Sequence, residues 1–381
     1  MPSITLPVPG GGTRAHTTAQ RLAWHDFTGP APTSRSVYAA AHVVVDPLTD
    51  TIDWDTTLAF RRHLWSLGLG VADGMDTAQR GGGLTWPHAR ELVVRSGAEA
   101  TAAGGALAFG AATDQLDPLT AWSLDDLADA YLEQVTLIAQ AGATPVLMGS
   151  RLLAATAQGP DDYLYVYDRV LAQTDGPVLL HWLGAAFDPA MHDYWGDRDL
   201  DAATGTVLQV MGLHPGKVTG IKVSLLDAGR EIAMRRRLPA GVRMFTGDDF
   251  NYDTLIRGDD HGHSEALLGV FDAIAAPARA ALARLDAGDP DGFSAVLAPT
   301  VPLARHLFTA PTAAYKTGVV LLAWLNGHQR HFHLLGGAQS ARSVSHLVRL
   351  FELADEAGAL ADPDLAVHRM RQLLAVAGFE G

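Results

Sequence analysis

The feature that most constrains this chain is a rhythm. Short apolar runs, punctuated by Gly, Pro and Asp, alternate with longer stretches of helical period. Ser36–Val45 (S-V-Y-A-A-A-H-V-V-V), Gly70–Asp76, Gly105–Gly110, Thr144–Gly149, Pro177–Leu183, Val218–Val223 and Val242–Thr246 read as buried strands, with Glu265–Val270 as an eighth. Between them, helices are predicted over Trp54–Leu67, Trp86–Ala103, Ser123 to about Ala141, Pro160–Gln173, Asp201–Leu213 and Asp227–Leu238. Pro87 sits in a first turn, where a missing N–H costs nothing. Ser123 with Asp126 three residues on has the form of a capping box.

Strands that alternate with helices must be joined by crossovers, so the sheet is predicted to be parallel. Eight such units within about 250 residues fit an α/β fold of the (β/α)8 TIM-barrel type. A doubly wound open sheet is the alternative, but no glycine-rich dinucleotide fingerprint follows an early strand. Three regions are expected: an N-terminal arm over 1–35, rich in Pro, Gly and Thr; the barrel over 36–286; and an α-helical C-terminal extension over 287–381. Helical segments in and before that extension are predicted at 278–286, 291–308, 312–326, 340–357 and 363–377. The extension could cover the barrel or form a dimer contact, and a homo-oligomer, dimer or tetramer, is expected.

Charge and composition narrow the partners. A formal net charge of -14 argues against nucleic acid or an anionic membrane as a general partner. Cysteine is absent, so disulfides, thiolate metal sites and catalytic thiols are excluded. No apolar stretch of about 18 residues exists to span a membrane, and the N-terminus lacks signal-peptide character. A soluble cytoplasmic protein acting on a small molecule is expected.

One lysine stands out. Lys222 lies inside an apolar strand, between Ile221 and Val223. Burying an ammonium group costs several kcal/mol unless it is paired or neutral. The chain has only three lysines, Lys217, Lys222 and Lys316, among 28 basic residues, so lysine is not its routine surface cation. A desolvated lysine has a lowered pKa, and its free amine can attack a carbonyl to form a Schiff base. The bland alternative is a strand-end lysine that snorkels to solvent. In a barrel the reactive side chains sit near the C-terminal ends of strands. By that rule the candidates are His42 and Asp46, Asp76 and Thr77, His181, Lys222 and Ser224, and Asp248 with Asp249.

The segment V-T-G-I-K-V-S, followed after a helix by R-M-F-T-G-D-D, resembles the dihydrodipicolinate synthase / N-acetylneuraminate lyase superfamily. D-P-L-T-D-T-I-D-W-D-T-T-L is similar to that superfamily's opening T-P-F-x-x-x-x-x-I-D pattern, and P-V-L-L-H-W-L to the strand that carries its catalytic tyrosine. The chain looks most like a divergent branch, a DUF993-like domain of unknown function. The resemblance implies a (β/α)8 barrel, a class I aldolase-type lyase or dehydratase, and no cofactor beyond the lysine imine. It implies Lys222 as the imine-forming residue and His181 in the tyrosine's place as acid/base. Asp76, Thr77, Ser224, Gly247, Asp248 and Asp249 would bind substrate.

The departures bear on substrate. Where the superfamily has a G-T-T-G-E-like turn for a 2-oxo acid carboxylate, this chain has G-M-D-T-A-Q, and Asp76 would repel a carboxylate. Y-N-V-P-G-R-T is replaced by H-W-L-G-A-A-F, without the arginine. A neutral carbonyl compound, such as a keto-sugar, fits better. Two other classes remain open. A divalent-metal sugar isomerase or hydrolase would draw on His261 and His263, or on His328, His331 and His333. A non-catalytic carbohydrate-binding barrel would keep Lys222 permanently paired, with Trp182 as a platform.

Overall fold

The computed structural model describes residues 1–379. Eight strands, here labelled β1 to β8, close into one parallel barrel. They are Val37–Ala40 (β1), Gly70–Asp73 (β2), Leu107–Ala111 (β3), Thr144–Leu147 (β4), Val178–Leu183 (β5), Val218–Ser224 (β6), Arg243–Thr246 (β7) and Glu265–Leu268 (β8). Neighbours follow chain order, and β8 pairs with β1 to close the ring. The fold class expected from the rhythm is the one observed.

Side chains alternate across each strand, which decides what faces the axis. Ala40, Ala72, Ala108, Val146, Leu179, Phe245 and Leu267 form one cluster, contributed by seven strands; this is the barrel interior. Their strand neighbours, among them Ala39, Val71, Phe109, Leu147, Leu180, Ile221 and Met244, belong to the larger core between barrel and helices. Leu180 and Trp182 lie in that outer core, and so do Ile221 and Val223. His181 and Lys222, each between two outward residues, therefore face the axis.

The helices begin where the sequence predicts. Trp54–Ser66 is capped by Asp53, Leu124–Gln140 by the Ser123–Asp126 box, and Ala228–Arg235 by Asp227. The first apolar run is shorter as a strand than expected. Ala41 N–H still reaches Ala72 O of β2, but beyond it the ladder ends, because the N–H groups of His42 and Val44 turn to the side chains of Asp272 and Thr57. A short helix at Arg151–Thr156, capped by Ser150, was not foreseen. Predicted helix 291–308 is divided between Pro290–Leu297 and Val301–Leu307. The stretch His328–His333 lies beyond its helix, which ends at Leu325 and turns at Gly327 with φ 83°.

The C-terminal helices pack on one side of the barrel. Tyr315–Leu325 is apolar on nearly every face, and all its residues but Lys316 are buried. A helix like that is stable only inside. It packs against Val270–Ala273, which follows β8, and against Val344–Glu356 and Pro363–Val376. The first 35 residues, expected as an arm, hold an antiparallel hairpin, Ser3–Pro7 with Thr13–Thr17. The hairpin is fastened to the last two helices: Arg14 pairs with Glu352, His16 Nε2 lies 2.9 Å from Asp355 Oδ2, and Arg371 donates to Ser3 O. Among the described residues no helix is long and apolar enough to cross a membrane.

Candidate active site

Lys222 occupies the middle of β6, in register with His181 on β5 and Phe245 on β7. It is 9% exposed. Below it lies the apolar interior, and burial leaves the side chain little water. Burial pushes its pKa down from the ordinary lysine value; Asp249 and then Asp76 pull the other way. Among the described residues no carboxylate reaches ion-pair distance of Lys222: Asp76 is paired with Lys316, and Asp249 Oδ1 accepts from the Val270 N–H at 2.9 Å. Asp249 is itself buried, and burial lifts its carboxyl to about 7. Burial thus disfavours the charged carboxylate and weakens Asp249 as a counter-ion for the amine.

His181 is buried beside Lys222, and burial, then the Lys222 charge, hold its pKa well below the usual imidazole value. A neutral imidazole results, able to accept a proton. Its Nε2 lies 3.3 Å from Ser224 Oγ, and its Nδ1 is buried without a partner. Ser224 is the next inward residue on β6 and is buried. Gly247, at the end of β7, is small of necessity. A Cβ there would come within 2.2 Å of Ser224 Oγ, 2.7 Å of Lys222 Cε and 2.9 Å of Val223 O. Gly247→Ala is therefore expected to displace Lys222 and Ser224 and to destabilise by about 1–3 kcal/mol. Denaturant titration measures the loss, and an alanine variant with the wild-type midpoint would refute the packing argument.

The remaining candidates divide. Thr77 is buried, and its Oγ1 lies 2.8 Å from the hydroxyl of Tyr315. Asp76 Oδ1 lies 2.9 Å from Lys316 Nζ. Asp248 is turned into its own loop: Oδ1 accepts from the N–H groups of Phe250 and Asn251 at 2.9 and 3.1 Å, and Oδ2 from Asn251 Nδ2 at 2.8 Å. Asp46 is a turn former, accepting from Leu48 N–H at 2.8 Å. His42 is held by Asp272 and Gln329 at 2.7 and 2.9 Å. Trp182 packs edge-on against Trp195.

A cavity of about 320 Å³ opens at the C-terminal end of the strands. His181 and Asp76 are in its wall; Lys222 is not, but is the in-register neighbour of His181. The charged wall residues are paired. Arg80 holds Asp114 through two bonds of 2.6 Å, and Arg151 Nε meets Asp188 at 2.5 Å. A hollow of about 530 Å³ at the opposite end, between residues 29–38, Arg243 and Glu265, holds none of the candidate residues.

Sequence reasoning missed Tyr315 and Lys316. The only signal was negative: a lysine in the first turn of an apolar helix, where the helix dipole disfavours a cation. The histidine sets considered as metal ligands do not converge. His333 Nε2 meets Asp50 at 3.1 Å, the His328 ring packs tilted against His63 with centres 4.4 Å apart, and His263 lies 3.9 Å from Glu265. Among the described residues no group of three or more His, Asp or Glu is placed to hold a metal ion.

Comparison with known proteins adds to this. The model of a family described as Protein of unknown function (DUF993) matches residues 4–379. No curated protein matches the sequence. Solved structures do match in fold. Dihydrodipicolinate synthase from Oceanobacillus iheyensis is 15% identical with a TM-score of 0.65, over 87% of this chain and 97% of that one. The Thermotoga maritima enzyme of the same name is 15% identical with a TM-score of 0.65, over 86% and 99%. 4-Hydroxy-tetrahydrodipicolinate synthase from Methylacidiphilum fumariolicum SolV is 14% identical with a TM-score of 0.66, over 89% and 99%. The barrel foreseen from G-I-K and its flanking segments is thus the barrel of those synthases.

Proposed function

The chain belongs to the family described as Protein of unknown function (DUF993), and on that footing we propose that it is a lyase working through an imine at Lys222. Its substrate is a small carbonyl compound, and a keto-sugar or a fragment of one fits best. The observation that carries this reading is Lys222 itself: buried, facing the axis, without an ion-pair partner, and in register with a neutral imidazole. The resemblance in fold to dihydrodipicolinate synthases supports the same class.

The chemistry follows from the residues. The free amine of Lys222 adds to the carbonyl carbon, and the carbinolamine loses water to leave an iminium. The iminium withdraws electrons from the adjacent carbon, so a bond there can break: C–C in an aldol cleavage, or C–H in a dehydration, in which the hydroxyl on the next carbon then leaves as water. Hydrolysis of the remaining imine frees the product and restores the amine. His181, in the cavity wall, takes up and returns the proton. In this scheme Thr77 and Ser224 would offer hydroxyls, Asp76 borders the cavity, and Gly247 and Asp249 lie beside the amine. The paired charges in the cavity wall offer donors and acceptors without a large net charge, which suits a neutral polyhydroxy compound. No cofactor beyond the lysine is required by this scheme.

Borohydride trapping with a panel of keto-sugars and 2-oxo acids, read by intact mass and peptide mapping, tests it. An adduct on the peptide bearing Lys222 is expected with a neutral keto-sugar. Absence of an adduct across the panel, or an adduct at Lys217 or Lys316 alone, would count against the proposal. In His181→Asn the adduct should still form, while turnover falls by about 10²–10⁴-fold, the usual worth of a general acid/base. Unchanged turnover would remove His181 from the mechanism.

A further inference from the structure

We propose that Lys316 is a positioning residue for the Lys222 amine: it holds Asp76 in an ion pair and so denies Lys222 a carboxylate partner. The inference rests on the reading of Lys222 as the imine-forming residue. It adds a residue from outside the barrel, 240 positions further along the chain than the carboxylate it holds.

The geometry is specific. Lys316 Nζ lies 2.9 Å from Asp76 Oδ1 and donates to Ala313 O at 3.0 Å. It also sits 5.0 Å from the centre of the Tyr315 ring. Its side chain is only 12% exposed. Tyr315, the preceding residue, is locked by its hydroxyl to Thr77 and by stacking on Phe308 at 4.3 Å. The two residues thus grip consecutive positions, Asp76 and Thr77, at the mouth. A cation in the first turn of a helix opposes the helix dipole, so Lys316 is not there to stabilise its own helix.

The charged and titratable groups around Lys222 are few. They are His181 from β5, Asp249 from the loop after β7, Asp76 from the loop after β2, and, beyond Asp76, Tyr315 and Lys316 from the C-terminal extension. Asp249 and Asp76 both act to keep Lys222 protonated. Asp249 is drawn off by the Val270 N–H and by its own burial. Asp76 is drawn off by Lys316. Removing the Lys316 charge frees Asp76 and also takes a cation from the neighbourhood, and both changes favour ammonium at Lys222. The sign is unambiguous: without Lys316, the Lys222 pKa rises and less free amine is present at neutral pH.

With three lysines in the chain, the test is direct. Protein labelled with ε-13C-lysine gives three side-chain signals, assigned by single Lys→Arg variants. Their shifts against pH give each amine's midpoint without any substrate. In Lys316→Met the Lys222 midpoint should rise by about one pH unit, as expected for loss of one nearby charge in a partly shielded site. Lys316→Arg should leave it near wild type. The trapping rate, where an adduct forms, should follow the same shift. A Lys222 midpoint unmoved in Lys316→Met overturns the proposal, as does one moved equally in Lys316→Arg. A shifted midpoint in a protein that traps no carbonyl compound would sink the imine reading and leave the electrostatic role of Lys316 standing.

Discussion

Lys222→Met is expected to abolish the borohydride-stable adduct and to lower turnover by at least about 10³-fold, the scale seen when a catalytic nucleophile is removed. Methionine is close to lysine in volume and suits the apolar floor formed by Leu179 and Phe245. The fold should therefore survive, and circular dichroism should not change. Stability should even rise. A buried lysine with a depressed pKa sheds its proton in the folded chain while the unfolded chain keeps it, so folding is penalised below the unfolded-state value and the penalty fades as pH rises through the window between the two. Methionine removes the penalty at neutral pH. In wild type, the trapping rate should fall on acidification with a midpoint below the ordinary lysine value of 10.5. A midpoint at that ordinary value would mean a solvated amine and would end the argument.

The second large effect is structural. Asp73, at the end of β2, points outward into a wholly buried ion pair with Arg61. Arg61 Nε and Nη2 donate to its two oxygens at 3.0 and 2.8 Å, and Ser96 Oγ donates at 2.8 Å. The remaining guanidinium nitrogen, Nη1, bonds His42 O and Thr57 O. Asp73→Leu leaves that guanidinium buried beside an apolar side chain, which should cost about 3–5 kcal/mol. Urea titration measures it as a lowered midpoint. Adding Arg61→Met should recover much of the loss, because the penalty comes from one orphaned charge rather than from a missing attraction. An unchanged midpoint in Asp73→Leu would show that solvent reaches Arg61 after all.

The barrel was legible because a parallel strand buried on both faces must be apolar throughout, and helices with one buried stripe must repeat near 3.6. Where apolar runs exceed their strands, as after Ala40, the excess reflects partners the sequence hides: the Asp272 and Thr57 side chains that satisfy the backbone of residues 42 and 44. Lys222 was legible for the opposite reason, as a charge in a place that resists charge. His181 and Ser224 were legible from the ends of their strands, and His181 also from the resemblance of its strand to the one that carries the superfamily's tyrosine. Asp76 was read as a lone negative charge, because its partner Lys316 lies far along the chain in a helix with no periodic link to the mouth. Thr77 and Tyr315, 238 residues apart, were hidden likewise. Local pattern reports what a residue's own element requires, and says little about which distant element arrives beside it.

The fastening of the hairpin to the last two helices has a mechanical corollary. Those two helices pack against Tyr315–Leu325, whose first turn holds Thr77 and Asp76, so the contacts of Ser3 and Arg371 lie one packed layer away from the helix at the rim. Residues about 350 positions apart thus share one joint, and a substitution in the hairpin acts first on the helices that Tyr315–Leu325 leans on.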